Sequence, residues 1–423
     1  MFPDITPASS LRRIPAVPGW EHSLQFLADP YRFIARECRR MGSDVVQARL
    51  LLQPTLCLTG PHAAELFYDD SRFRREGAPP EPVRATLLRK THAQALDGAE
   101  HRKRFFMAAF GPLPTAALIA EASRQWVQLM PRWRVLPELV LYEAAQEWLA
   151  RSACAWAGVP LPEQDVARRT RQLVALFDGA ATGLSAHLRA RRARREVERW
   201  LAGLIQAHRA GTAALPHHSP AAVAAMLQDA HGYPLPARVA AVELLSLLRP
   251  IVAVSVFVVL AAHALHEHAG WRDELRAGRE SDFEAFVQEV RRFYPFFPAV
   301  AAQACREFVW EGWHFPAGAR VMLDLYGTNH DARAWPQPHE FRPERFSGAI
   351  PGLFGFVPHG GGRPGDHHRC PGEGITVALM KLALRQLVSQ VRYEVPAQDL
   401  RLQMDRLPAL PRDRFVIGRL AWT

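Results

Sequence analysis

Lysine is almost missing from this chain. Of 423 residues, 52 are Lys or Arg, and only Lys90, Lys103 and Lys381 are lysines, so arginine carries nearly all the positive charge. Arginine enrichment alongside alanine and proline matches a GC-rich genome, so it does not by itself identify a partner. Long apolar runs are missing too. The most apolar stretch, Ile251 to Ala262, falls short of the ~20 residues of a membrane span and reads as a buried core helix. Cysteine is scarce and odd in number: Cys38, Cys57, Cys154, Cys305 and Cys370 form no CxxC pair. That argues against a zinc ribbon or disulfide scaffold and fits a reducing, cytoplasmic setting. No basic segment followed by an apolar one opens the chain, so no signal peptide is expected and the protein is not expected to be integral to a membrane. No repeat of 20 to 50 residues and no Gly/Ser/Pro-rich linker is visible. A length prior of ~150 residues per domain admits two or three domains, yet one domain over residues 1–423 is the expectation.

The composition can bury a large core: 48% of residues are hydrophobic, 22% charged and 9% aromatic. The net charge of +10 suits an anionic substrate or an acidic surface. Nucleic acid is the weaker match. The densest basic run, Arg189 to Arg195, lies in a helical pattern without interleaved aromatics and reads as a solvated helix face. Val45 to Thr59 reads as a hairpin broken at Gln53-Pro54. Helical spacing dominates from Asp97 to His268, with breaks at Pro160/Pro162, Pro216/Pro220 and Pro234/Pro236. The longest helix is expected over Ala237–His268, with Pro250 inside it. Another follows at Asp282–Phe293, then strands and turns to Trp335, an irregular Gly/Pro-rich stretch over Phe346–Arg369, and a final helix from Pro371. The fold class expected is mainly α with small β-sheets.

The irregular stretch ends in His367-His368-Arg369-Cys370-Pro371-Gly372-Glu373. Loops of this length inside a compact domain usually carry function. A cysteine just before a helix is helped toward thiolate by free N–H groups and the positive dipole end, and glycines let a backbone approach a flat ligand. These features together suit a thiolate beneath a large planar cofactor, with Arg369 able to pair with acidic substituents. A random cysteine is more often inert and buried; here the neighbours favour the ligand. A zinc site from His359, His367, His368 and Cys370 is the rival chemistry, but it follows no standard spacing. Upstream, Glu289 and Arg292 share one helix face at i and i+3. Such pairs are usually superficial, but the aromatic flank Tyr294-Pro295-Phe296-Phe297 suggests burial, and Arg345 of Pro343-Glu344-Arg345-Phe346 can join them.

Glu-x-x-Arg, then Pro-Glu-Arg-Phe, then a Gly-rich loop to Cys-x-Gly resembles a cytochrome P450. More narrowly, the chain resembles the bacterial fatty-acid peroxygenases of that superfamily. Phe67-Tyr68-Asp69, Leu96-Asp97-Gly98, Leu248-Arg249-Pro250 and Gln288 to Phe296 carry that likeness in order along nearly the whole sequence. The resemblance implies a cytochrome P450 fold forming a single heme-thiolate domain, with heme b as cofactor and Cys370 as axial ligand of its iron. It implies that Glu289, Arg292 and Arg345 form a structural triad, that His101, Arg104 and, less directly, Arg75 meet the heme propionates, and that Phe296 and Leu88 border the substrate. Arg369 directly precedes Cys370, and His368 stands where the superfamily usually has arginine.

The reaction turns on the long central helix. Oxygen-activating members carry an acid–alcohol pair there; this chain has Ser246-Leu247-Leu248-Arg249-Pro250. An arginine among apolar residues is costly unless paired. Glu243 is one structural partner for it. The resemblance and the guanidinium fork favour a substrate carboxylate instead. Held by Arg249, that carboxylate replaces the missing acid and serves as base, then acid, on hydrogen peroxide, while Pro250 widens the helix. The expected activity is therefore peroxide-driven hydroxylation of fatty acids at the α or β carbon, with no obligatory redox partner. The alternatives are a reductase-dependent monooxygenase of the same fold and a non-catalytic heme sensor or carrier. Gln94 overlooks the heme face by resemblance; family members with histidine there often form terminal alkenes, and glutamine accompanies hydroxylation. The small residues Gly179 to Gly183, Ala180 among them, suggest a roomy channel.

Overall fold

The computed structural model describes residues 12–75, 78, 105–178, 183–229, 231–348, 352–363 and 369–423. The described chain forms two compact units, each assembled from separated segments.

The first unit comprises residues 1–80, 295–341 and 350–369. It begins with helices α1 (Ser23–Ala28) and α2 (Phe33–Met41) and the hairpin β1 (Val45–Leu50) and β2 (Gln53–Leu58). The hairpin turn falls at Leu51-Leu52, two residues before the expected break, and Pro54 lies inside β2 opposite Arg49. Pro54 is tolerated because β2 pairs with its second neighbour only from Thr55 onward. Leu51 and Leu52 both have positive φ, 53° and 62°. Two-residue hairpin loops need this conformation and usually meet it with Asn-Gly; leucine pays roughly 1–2 kcal/mol per residue for it. Helix α3 (Pro61–Phe67) carries its proline in the first turn, where a missing N–H costs nothing, and β3 (Phe73–Arg74) follows.

The second unit comprises residues 81–294, 342–349 and 370–423. Its helices are α4 (Pro112–Trp133), α5 (Leu141–Ala157), α6 (Glu163–Val174), α7 (Leu184–Arg209), α8 (Pro220–Ala225), α9 (Ala237–Glu267), α10 (Gly270–Arg276) and α11 (Glu280–Phe293). Helix breaks fall at the three proline pairs named above, and two more were not expected: strand β4 (Glu138–Val140) separates α4 from α5, and α6 ends at Val174 without a proline. Helix α9 is apolar almost all round, as a core helix must be. By length and composition it could cross a bilayer, but 78% of its most apolar window is buried inside the protein. It packs against α5 and α7. It stays continuous through Pro250, which removes the N–H that would bond the Ser246 carbonyl one turn earlier. The basic run on α7 is only partly a solvated face. Arg192 reaches Glu196 at the surface (2.9 Å), whereas Arg194 is buried and pairs with buried Glu198 (2.9 Å).

In the first unit the later segments complete a five-stranded sheet. Strands β5 (Ala299–Ala304) and β8 (Arg320–Asp324) extend it to the order β1-β2-β8-β5-β3, with β2 and β8 parallel, while β6 (Phe308–Trp310) and β7 (Trp313–Phe315) pair antiparallel as a separate ribbon. Strand alternation sends Val45, Leu56 and Leu58 to a core with Phe67, Tyr68, Phe73 and Leu323, and Val46, Ala48 and Cys57 to a second core with Phe33, Ile34 and Cys38. Short α12 (Leu325–Asn329) follows β8. In the second unit the C-terminal segment supplies α13 (Glu373–Arg385), which begins after Gly372 rather than at Pro371, and strands Val391–Glu394 and Val416–Trp422.

Candidate active site

Cys370 sits three residues before the first turn of α13. Burial pushes its thiol upward; the Gly372 N–H opposes this, Glu373 adds to it, and the positive charges of Arg291 and Arg249 oppose it. The site therefore contains the groups a thiolate needs, set against the desolvation that disfavours one. Metal coordination deprotonates such a thiol outright.

Helix α11 supplies the adjoining ion-pair network. Glu289 and Arg292 are wholly buried. Arg292 Nε and Nη2 donate to the two Glu289 oxygens at 2.7 Å each. Arg345 Nε adds a bond at 3.2 Å, and the Arg342 backbone N–H another at 2.8 Å. Four donors thus satisfy one buried carboxylate, which is the condition under which a buried charge is tolerated. The expected triad is present, with Glu289 and Arg292 buried and Arg345 half-buried. Sequence reasoning overlooked the neighbouring residue: buried Arg291 donates to Glu373 and to Gln288, tying α11 to the start of α13 three residues after Cys370. The signal was available in two consecutive arginines amid aromatics and an unassigned acid following Cys-Pro-Gly.

Arg249 is half-buried on α9, immediately before Pro250, and its charge reaches Cys370. Glu243, on the same helix, is fully buried.

In the first unit, Arg75 lies over the rings of Phe67 (4.8 Å) and Tyr68 (4.5 Å) and donates to the Phe67 carbonyl at 3.4 Å. Its Nε is buried with no hydrogen-bond partner among the described residues, as for a guanidinium awaiting an anion. Arg369 donates to the Gly362 carbonyl at 3.4 Å. The glycine run has a reason the sequence did not disclose: a Cβ on Gly361 would lie 2.7 Å from the Tyr68 ring, and Gly360 and Gly362 have φ of 91° and 84°. What this backbone approaches closely is a tyrosine. Phe296 is half-buried; its ring meets Phe297 edge-on at 4.7 Å and its carbonyl accepts from Tyr31 Oη at 3.1 Å. Leu88, Gln94, His101, Arg104, Ala180, His367 and His368 lie outside the described residues.

Comparison with known proteins gives a consistent result. The family model for cytochrome P450 matches residues 283–416. The solved structure of cytochrome P450SP alpha is 46% identical, with a TM-score of 0.91, covering 96% of this chain and 100% of that one. Cytochrome P450EX alpha, solved with myristic acid, is 37% identical at a TM-score of 0.91, covering 97% and 99%. Cytochrome P450 OleT, solved with arachidonic acid, is 30% identical at 0.92 with the same coverage. Among curated proteins, tabersonine 6,7-epoxidase isoform 1 of Catharanthus roseus is 31% identical over 128 residues, which is 29% of this chain and 24% of that protein. The match therefore spans about a quarter of that relative.

Proposed function

The chain belongs to the cytochrome P450 superfamily and, within it, to the fatty-acid peroxygenases, a heme-dependent oxidoreductase family; from that premise we propose that it uses hydrogen peroxide to hydroxylate fatty acids at the α or β carbon. The observation that carries this reading is an arginine followed by proline on the central helix, in place of an acid–alcohol pair, with its charge felt at Cys370.

The residues present suit heme. Cys370 would hold the iron as a thiolate, and Arg75, whose buried Nε has no hydrogen-bond partner among the described residues, suits a propionate. His101, Arg104 and Arg369 are its further proposed contacts, within one heme-thiolate domain over residues 1–423. When bound, heme supplies the oxidising chemistry, and thiolate donation favours O–O cleavage.

Arg249 holds the substrate carboxylate by a two-pronged, charge-assisted pair. That carboxylate accepts a proton from one oxygen of hydrogen peroxide and returns it to the other, which leaves as water. Because the acid end is anchored, only the first carbons of the chain come within reach, so 2- or 3-hydroxy acids are the main products and terminal alkenes minor ones. Gln94 favours hydroxylation, since a neutral amide hydrogen-bonds but neither gives nor takes a proton near neutral pH. Pro250 loosens α9 at this turn, while Leu88, Ala180 and Phe296 border the chain of the substrate. The enzyme acts in the cytosol without an obligatory redox partner.

Arg249→Ala tests the proposal. Losing a buried charge-assisted pair costs roughly 2–5 kcal/mol, so peroxide-driven oxidation of fatty acids should collapse while heme content is kept. A short carboxylic acid added to the wild type should support oxidation of substrates lacking an acid group. Fatty alcohols reacting as well as fatty acids without additive would contradict the carboxylate's role. Turnover requiring NAD(P)H and redox proteins would contradict the peroxide.

A further inference from the structure

The Leu51-Leu52 turn is an odd choice for the fold alone. Both residues have positive φ, which most side chains resist, and both leucines face solvent, at 52% and 61% exposure. The turn does not stand by itself. Ser23 Oγ accepts the Leu51 N–H at 2.7 Å, Glu21 Oε1 accepts the Leu52 N–H at 3.5 Å, and the His22 N–H donates to the Arg49 carbonyl at 2.9 Å. These bonds set the leucine tip beside α1 and the residue before it. Trp20 there is 73% exposed and Leu24 81%; Leu27, one turn on from Leu24, is 48% exposed. No residue of α1 is buried.

The segment that carries this apolar patch is basic. Residues 12–58 contain seven arginines and no lysine against four acidic residues. Asp29 and Glu37 are engaged by Arg36 and Arg40, and Glu21 by Ser23. Arg32 and Arg49 are exposed and form no ion pair among the described residues. The whole chain carries +10.

We propose that this patch is a peripheral docking site for an anionic lipid bilayer. Leu24, Leu27, Leu51 and Leu52 enter the acyl boundary, Trp20 sits at headgroup level, and Arg32 and Arg49 meet lipid phosphates. Aliphatic tips, an interfacial tryptophan and an arginine rim are the features such a surface recognises. The site lies in the first unit and uses no residue of the proposed reaction.

The test is flotation of the full heme-loaded protein with vesicles of phosphatidylcholine, alone or with phosphatidylglycerol as one third of the lipid. The wild type should bind the anionic vesicles, ignore the neutral ones and release at high salt. Leu51→Asn with Leu52→Gly installs the turn pair the backbone prefers, so the hairpin stays folded while its apolar tip is lost. Anionic-vesicle affinity should then fall roughly tenfold, with heme content and thermal midpoint retained. Arg49→Gln should weaken binding to anionic vesicles. Absent wild-type binding, equal binding to both vesicle types, or equal binding by the double variant would each overturn the proposal. So would sedimentation velocity showing a wild-type dimer that the double variant converts to monomer without any vesicle binding, which would mark the patch as a self-association face.

Discussion

Asp324 sits at the end of β8, 1% exposed, where its Oδ1 accepts the Gly327 N–H at 2.7 Å and the Thr59 hydroxyl donates to Oδ2 at 3.3 Å. Burial pushes its carboxyl from an ordinary 3.8 to about 7, against those two hydrogen bonds and the charge of Arg39. A raised folded-state value means that the native state favours the protonated acid. Its contribution to stability is complete below the unfolded value and is lost as pH rises through about 7. At about 1.4 kcal/mol per unit, the whole effect is about 4 kcal/mol, with more than half falling between about pH 5 and 8. Asp324→Asn keeps an acceptor for Gly327 and cannot ionise, so it should be insensitive to pH at this position. Guanidinium unfolding of both proteins, followed by tryptophan fluorescence, isolates the effect because every other titrating group is common to the pair. The stability of Asp324→Asn relative to wild type should rise by about 2–3 kcal/mol from pH 5 to pH 8. A difference that stays constant, or widens toward acid, would refute the reasoning.

Removing the triad's anion by Glu289→Ala leaves the buried Arg292 guanidinium uncompensated and should cost about 3–5 kcal/mol in denaturant unfolding; a loss under about 1 kcal/mol would mean the network is not what tolerates that charge. Cys370→Ala should abolish the long-wavelength band of the reduced carbon-monoxide adduct, and an unchanged heme spectrum would remove Cys370 as ligand. Gln94→His should raise the share of terminal alkene over hydroxy acid by product mass spectrometry, whereas an unaltered ratio assigns Gln94 no part in the outcome. Ala180→Phe should shift chain-length preference, and an unmoved profile would mean that this residue does not line the channel.

Much of this architecture was legible from residue spacing because local rules govern it. Proline pairs ended the helices where expected, and uniform apolarity identified α9 as a core helix despite Pro250. The triad was recoverable because Glu289 and Arg292 lie one turn apart and aromatic neighbours implied burial. Features that depend on distant partners stayed hidden. Nothing local showed that the glycine run is shaped by Tyr68, nearly three hundred residues earlier, or that Arg291 reaches across to Glu373. The hairpin turn was misplaced because Pro54 looked like a breaker, although the edge of β2 accommodates it. Asp324 drew no notice, since only the closed sheet buries it.

The sheet of the first unit joins strands that the ribosome makes far apart in time. Leu58 of β2 pairs with Leu323 of β8, and Phe73 of β3 with Ala304 of β5. The segments that share this unit end at Pro80 and resume at Pro295. At typical rates of synthesis the gap lasts roughly 10–40 s. Throughout that interval β2 has a partner on one side only, and its inner edge presents free N–H and C=O groups beside Leu56, Cys57 and Leu58. The nascent N-terminal segment is thus an open strand edge that must be shielded from neighbouring chains until its own later strands emerge. Chaperone occupancy during translation, more than the stability of the finished fold, should set the yield of this enzyme on overexpression.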